Sequence, residues 1–435
     1  MYDLAIIGAG ILGTTLAFWF SRLCPGSKIV VLEKEDGVAR HTSRRNTGVI
    51  HRPFYLDPQK KKTLAQSANL SFPLWEAYAR AKNLPFKKKG TIEVALDESQ
   101  LETLKKYQRW SAENGLAAAE VEILSPNEVK KLEPNLVCAG AIFCSTDVAT
   151  DFGLLTDSLF QDARDRGVEF VFNSVVERIE ESPAGLEIVC PDKKIAARYL
   201  INCAGGQAVK IAHLLGVARD LTDLNFRGEY WVVDPARSGL TSHNIYSVPR
   251  HSEFPFLDPH WISRWDGRVE IGPTAVPVLG PYAYEGFFEN PLSAFRKLWE
   301  APRLNKIRLT TNPEFLRLVL EEWRSSFFKK VMVGRIQKFL PSLRPEYLVK
   351  KGLAGIRSSV IDSQGKFVNE VLETFGPRSF HILNFNSPGA TGAPAYTAYV
   401  IKKLTESQNL DHLQFRSASQ SEIWNFSQVM RGFSV

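Results

Sequence analysis

Disulfide chemistry has little to work with in this chain. Its 435 residues hold five cysteines, Cys24, Cys138, Cys144, Cys190 and Cys203. The number is odd and no two form C-x-x-C, which fits a reduced, cytoplasmic setting better than a cross-linked secreted one. No Cys/His pair has zinc-site spacing, so no metal is expected. The apolar stretches are too short or too interrupted to cross a bilayer. Nothing resembling a charged leader precedes Met1-Tyr2-Asp3, so no secretory signal is expected. Repeats and low-complexity segments are missing too. Charge is not one-sided: 54 Lys and Arg against 47 Asp and Glu leave a formal +7. Lys60-Lys61-Lys62 and Lys87-Lys88-Lys89 are the only tight basic runs. Neither is interleaved with aromatics, so no nucleic acid is expected and a solvated face is the plainer reading.

What is present is concentrated at the start. Leu4 to Ile7 is a short apolar run suited to a strand buried on both faces. Gly8, Gly10 and Gly13 follow at G-x-G-x-x-G spacing. Ile11 to Leu23 then reads as an apolar helix closed by Pro25-Gly26. Ile29 to Leu32 is a second strand, with Glu33 at its end. Each residue type has a reason. Gly8 permits the tight turn, Gly10 lets a pyrophosphate approach the backbone, and Gly13 lets the helix pack on the sheet. The N–H groups of Ile11 and Leu12 open the helix and face the phosphates. Glu33 can accept from a ribose hydroxyl. The glycines alone are a weak signal; strand, helix and acid together make a dinucleotide site.

Along the chain, Arg40 to His51 is polar and basic. Helices are expected over 66–81, from Asp97, over 152–166 and over 209–215. Ser125-Pro126-Asn127-Glu128 reads as a helix cap. Strands are expected over 90–96, 138–143, 168–172, 175–179, 186–189 and 199–206, the last ending in the paired glycines Gly205-Gly206. Residues 224–278 are rich in aromatics and prolines and read as mostly strand. Residues 280–345 carry helical patterns. Gly352 to Arg357 opens a last return to the sheet. Phe380 to Phe385 is a strand, and a glycine-bearing turn leads to a helix over 395–404. The fold class is α/β, α+β overall: a Rossmann-like domain built from discontinuous segments, plus a mixed β-rich domain. The expected borders are 1–85, 146–218 and 350–405 for cofactor, 86–145 and 219–349 for substrate, and 406–435 for a polar tail.

These motifs resemble the FAD-dependent oxidoreductases of the D-amino-acid-oxidase superfamily, and within it the L-2-hydroxyglutarate dehydrogenases. The resemblance is carried by Tyr2 to Gly13, Leu32 to Glu35, Asn46 to His51, Phe226-Arg-Gly-Glu-Tyr230, Ile245-Tyr246 with Pro249, Pro255-Phe-Leu with His260, Asp266-Gly267, Gly272-Pro273, Gly355 with Arg357, and Asn386 to Thr391. It covers the chain to about Leu404. It implies non-covalent FAD and hydride transfer from a small 2-hydroxy acid to flavin N5. Electrons then pass to a quinone, another acceptor or oxygen. The chain departs from the relatives at Asp258-Pro259 and at Thr274. It also has no basic pair over 277–282 of the kind that could hold a second carboxylate. An amino-acid or amine oxidase of the same superfamily is the rival enzyme. A non-catalytic flavin-binding or nucleic-acid-associated protein is the rival of another class.

The resemblance also assigns residues. Arg357 is the first choice for a carboxylate, because a guanidinium fork fixes two oxygens. Arg227 is the second, with an internal ion pair to Glu229 as the equal alternative. His51 leads as the base for the hydroxyl proton, and His260 competes. Tyr230 and Tyr246 close the pocket or pack ordinarily. Lys34, Arg44, Asn46 and Thr47 are expected at phosphate or flavin, and Val176 at adenine from a strand. Ala204 and Gly205 lie by the pyrophosphate. Ser387, Gly389, Ala390 and Thr391 open the last helix beside the flavin ring. Trp424, Phe426 and Phe433 in the tail suggest peripheral contact with the inner face of a membrane.

Overall fold

The computed structural model describes residues 1–250, 254, 258–416 and 423–433. The Pro255-Phe256-Leu257 segment of the resemblance lies outside them. The first strand, β1 (Tyr2–Ile7), is fully buried over its last four residues. It sits between Lys193–Asn202 and β2 (Ile29–Leu32), parallel to both. Glu169–Val171 extends the sheet beyond β2, and Ser379–Asn384 adds to Lys193–Asn202, again in parallel. Strands close in space are therefore far apart in sequence, and helices cover the gaps. Helix α1 (Ile11–Leu23) packs on Phe152–Arg164 and on the late helix Gly389–Glu406. Its apolar side chains, Leu16 to Phe20, are completely buried, which is the usual fate of a helix apolar all round.

The second large sheet holds Thr91–Ala95, Asn244–Ser247, His260–Ser263 and Val269–Gly272 as consecutive neighbours. Its register puts Glu93 beside Tyr246, and His260 beside Gly272. The rings of Tyr246 and His260 lie 3.9 Å apart between centroids. One face thus carries His260, Tyr246 and Glu93 across three strands.

Three expectations change. The stretch 175–179 is not a strand: pairing begins only at Arg178, after a turn in which Asn173 has φ +53°. Gly355–Ile361 does not return to the cofactor sheet. It pairs antiparallel with Thr222–Gly228 in a separate three-stranded sheet, with Arg357 opposite Phe226. The tail is not a polar appendage. Trp424 is fully buried, 4.6 Å from the ring of Phe18 and 5.4 Å from that of Trp19. Its indole N–H donates to the Leu74 carbonyl. No helix among the described residues is long and apolar enough to cross a membrane.

Candidate active site

A cavity of about 1120 Å³ runs between the two sheets. Glu33, Lys34 and Val176 line one end. Gly8, Gly10, Ala204 and Gly205 line the middle. His51, Tyr246, His260 and Arg357 line the other end.

The turn after β1 is built for close approach. Gly8 has φ +99°, and a Cβ there would stand 2.6 Å from the Cys203 carbonyl oxygen. A Cβ on Gly13 would meet the Gly8 carbonyl at 1.9 Å. Neither position admits a side chain, so the helix start is pressed against the strand ends and its N–H groups open into the cavity. Ser43 caps one of them, accepting from Ile11 N–H at 2.9 Å. The Glu33 carboxylate is held by N–H groups of Ala9 and Glu35, at 2.7 and 3.0 Å. The cradle, the acid and the helix start fit a dinucleotide. Ile11, Leu12, Asn46, Thr47, Ser387, Gly389, Ala390 and Thr391 also line the cavity. Gly389 to Thr391 form the first turn of the helix Gly389–Glu406. Val176 lines the cavity from a loop, and Lys34 lies 3.6 Å over the Tyr282 ring.

Two expected residues point elsewhere. Arg44 does not line the cavity; its guanidinium grips Asp157 at 2.6 and 2.7 Å. Arg227 is buried in an ion pair with Glu229 at 2.8 Å and donates to the Ala283 carbonyl at 3.0 Å. Its charge is used inside the protein, while Phe226 and Gly228 on either side line the cavity. The alternation of a strand explains this: residues one step apart face opposite ways.

At the far end, His51 Nδ1 lies 2.9 Å from the fully buried Asp147 carboxylate. Asp147 also accepts from Arg52 N–H and from the Thr91 hydroxyl, both at 2.7 Å. These fixed donors hold the carboxylate still. It accepts the Nδ1 proton, and Nε2 is left as the free acceptor, 3.5 Å from the Tyr246 hydroxyl. Thr391 Oγ1 accepts from the His51 N–H at 3.1 Å, tying this loop to the last helix. His260 differs. Burial drives its pKa down to about 3, and its Nδ1 has no hydrogen-bond partner among the described residues. It is a neutral ring lying against Tyr246 at a tilt of 32°, without an orienting acid. Burial lowers the Arg357 pKa too, against the opposing effect of the Tyr230 and Tyr55 phenols. A guanidinium starts so high that it stays charged. Burial pushes Tyr230 up to about 12, so it is a neutral donor.

Reading the sequence missed Asp147, Ser43 and Glu93. Glu93 is 6% exposed and lines the cavity. Burial, with Asp147 adding its charge, raises it to about 8. Only its place in an otherwise apolar alternating strand, Thr91–Ala95, could have marked it. Asp147 lies between two short strands, with no motif around it. Among the described residues no group of three or more His, Cys, Asp or Glu could hold a metal.

Residues 3–403 match the family model described as "FAD dependent oxidoreductase". An L-2-hydroxyglutarate dehydrogenase of Salmonella houtenae is 31% identical over 96% of this chain and 97% of its own length. The mitochondrial L-2-hydroxyglutarate dehydrogenase of Homo sapiens is 30% identical over 93% and 89%. Among solved structures, the FAD-bound L-alpha-glycerophosphate oxidase of Mycoplasma pneumoniae superposes with a TM-score of 0.71. It is 20% identical and covers 98% of this chain and 97% of its own. Glycine oxidase of Geobacillus kaustophilus gives 0.67 at 16% identity, covering 97% and 99%.

Proposed function

The chain belongs to the FAD dependent oxidoreductase family, and from that premise we propose that it oxidises a small 2-hydroxy acid to the 2-oxo acid. The relatives' substrate, L-2-hydroxyglutarate, is the first to test. One observation carries the reading: an acid-oriented histidine and a half-buried arginine line the same end of one cavity. When bound, FAD supplies the acceptor for the hydrogen on the substrate's C2 and its electron pair. The protein supplies the rest. Arg357 takes the C1 carboxylate in its fork and fixes the substrate's orientation. His51 takes the hydroxyl proton on Nε2, and Asp147 steadies the imidazolium that forms. Tyr230 and Tyr246, with phenols held neutral by burial, close the wall and keep water out.

The cofactor-holding set is Gly8, Gly10, Ile11, Leu12, Gly13, Glu33, Ser43, Asn46, Thr47, Val176, Ala204, Gly205 and the 387–391 turn. Residues around this cradle form the cofactor half, and the sheet carrying Glu93, Tyr246 and His260 forms the substrate half. The five cysteines are free thiols, four of them buried, which suits a reduced compartment. Electrons leave to a quinone, another acceptor or oxygen. Trp424 is inside the core and is not available for membrane contact.

Anaerobic mixing of the FAD-loaded protein with 2-hydroxy acids and amino acids tests this. Bleaching by L-2-hydroxy acids supports it. Bleaching by amino acids alone refutes it.

A further inference from the structure

Eleven of the nineteen exposed large apolar residues found among the described residues fall between Phe287 and Phe328. Three consecutive helices carry most of them: Pro291–Trp299, Arg303–Thr310 and Pro313–Phe327. Leu292, Phe295 and Trp299 are 51–59% exposed on the first, Leu304 and Ile307 64% and 54% on the second, and Leu320 65% on the third. Phe295 and Trp299 touch ring to ring, and the Arg303 guanidinium lies 4.6 Å over Trp299. Soluble monomers rarely keep apolar surface of this kind together without a use for it.

The charge on the same helices is one-sided. Arg296, Arg303, Arg308, Arg317, Arg324 and Lys330 are exposed, against Glu314 alone among the acids of 291–330. The other acids are tied inward. Glu300 pairs with Lys297 and Lys306, Glu321 with Arg250, and Glu322 with Arg335. Exposed apolar side chains, a tryptophan among them, interspersed with arginines along consecutive helices are the make-up of a segment that lies in a lipid headgroup layer.

We infer that the helices spanning 291–327 dock this protein on an anionic lipid surface. Phe295, Trp299, Leu304 and Leu320 enter the headgroup–acyl boundary, and the surrounding arginines meet lipid phosphates. The net charge of +7 supports the approach. The inference rests on the 2-hydroxy-acid oxidase reading only for what lies downstream, an acceptor resident in the membrane. Docking itself is measured without substrate, so either can fail alone.

The test floats the FAD-loaded full chain with phosphatidylcholine vesicles, with and without phosphatidylglycerol. Binding is expected to the anionic vesicles at low salt, at least tenfold tighter than to the neutral ones. Arg303→Glu with Arg308→Glu should lower that affinity at least tenfold and flatten its salt dependence. Trp299→Glu with Leu304→Glu should abolish binding, with melting temperature and dye-linked turnover unchanged. Two results overturn the inference. One is a monodisperse wild type that stays off phosphatidylglycerol vesicles at low salt. The other is a wild type that self-associates without lipid while the Trp299→Glu, Leu304→Glu variant is monomeric, which assigns the face to a second copy of the chain.

Discussion

The two ends of the cavity are built by opposite means. The cofactor end is made largely of backbone: a turn, a helix start, and glycines that allow both to come close. Its centre, Gly8 to Gly13, comes from adjacent residues. The substrate end is made of side chains delivered by Thr91–Ala95, Asn244–Ser247, His260–Ser263 and Gly355–Ile361, and by the loops holding His51 and Asp147. A backbone site tolerates change in most side chains and no change in its glycines. A side-chain site has a different response at every position.

The sharpest break in this contrast is Gly13→Val. Its Cβ would lie 1.9 Å from the Gly8 carbonyl oxygen. The variant should lose bound FAD altogether, read as loss of the flavin absorbance in folded protein or as failure to fold. Next comes the histidine pair. His51→Gln should cut kcat by about 10²–10⁴, whereas His260→Asn should change it much less, since His260 has no orienting acid. Equal losses would refute the assignment of the base.

Arg227 and Arg357 separate similarly. Arg227→Met leaves Glu229 with Lys351 and the Ser326 hydroxyl as its remaining partners. It should cost up to about 3 kcal/mol of stability, seen in denaturant melts, with KM unchanged below the transition. Arg357→Lys should raise KM for the hydroxy acid by about tenfold, the loss of one two-point grip, with melting little altered.

The smallest expected effect concerns Glu93. Its folded pKa of about 8 lies above that of an exposed glutamic acid, so the native state binds the extra proton. Stability therefore falls as pH rises from about 4.5 to 8, by about 1.4 kcal/mol per pH unit at most. Glu93→Gln should flatten that slope. Melting temperatures measured from pH 5 to 9 read it directly, and an unchanged slope would show that the proton sits elsewhere.

The contrast also explains what could be read in advance. β1, α1 and β2 were legible because glycine spacing and apolar runs are local properties. Helix Phe152–Arg164, the cap at Ser125 and the helix beginning near Asp97 were legible for the same reason. Arg357 and His51 could be picked only through resemblance, and Arg227 came with them although its strand turns it away. Asp147 was illegible because an aspartate in a connector is ordinary. What makes it special is a histidine 96 residues away in sequence. The tail misled because Trp424 looks exposed in a polar stretch, and only the packed structure shows the hole it fills.

That last contact has a consequence for how the chain is made. The indole that covers Phe18 and Trp19 belongs to residue 424, so it leaves the ribosome about 400 residues after them. The β1–α1 unit must therefore wait through that stretch of translation with one side of its core uncovered. A nascent chain of this protein should be a good client for a chaperone until its closing turn emerges.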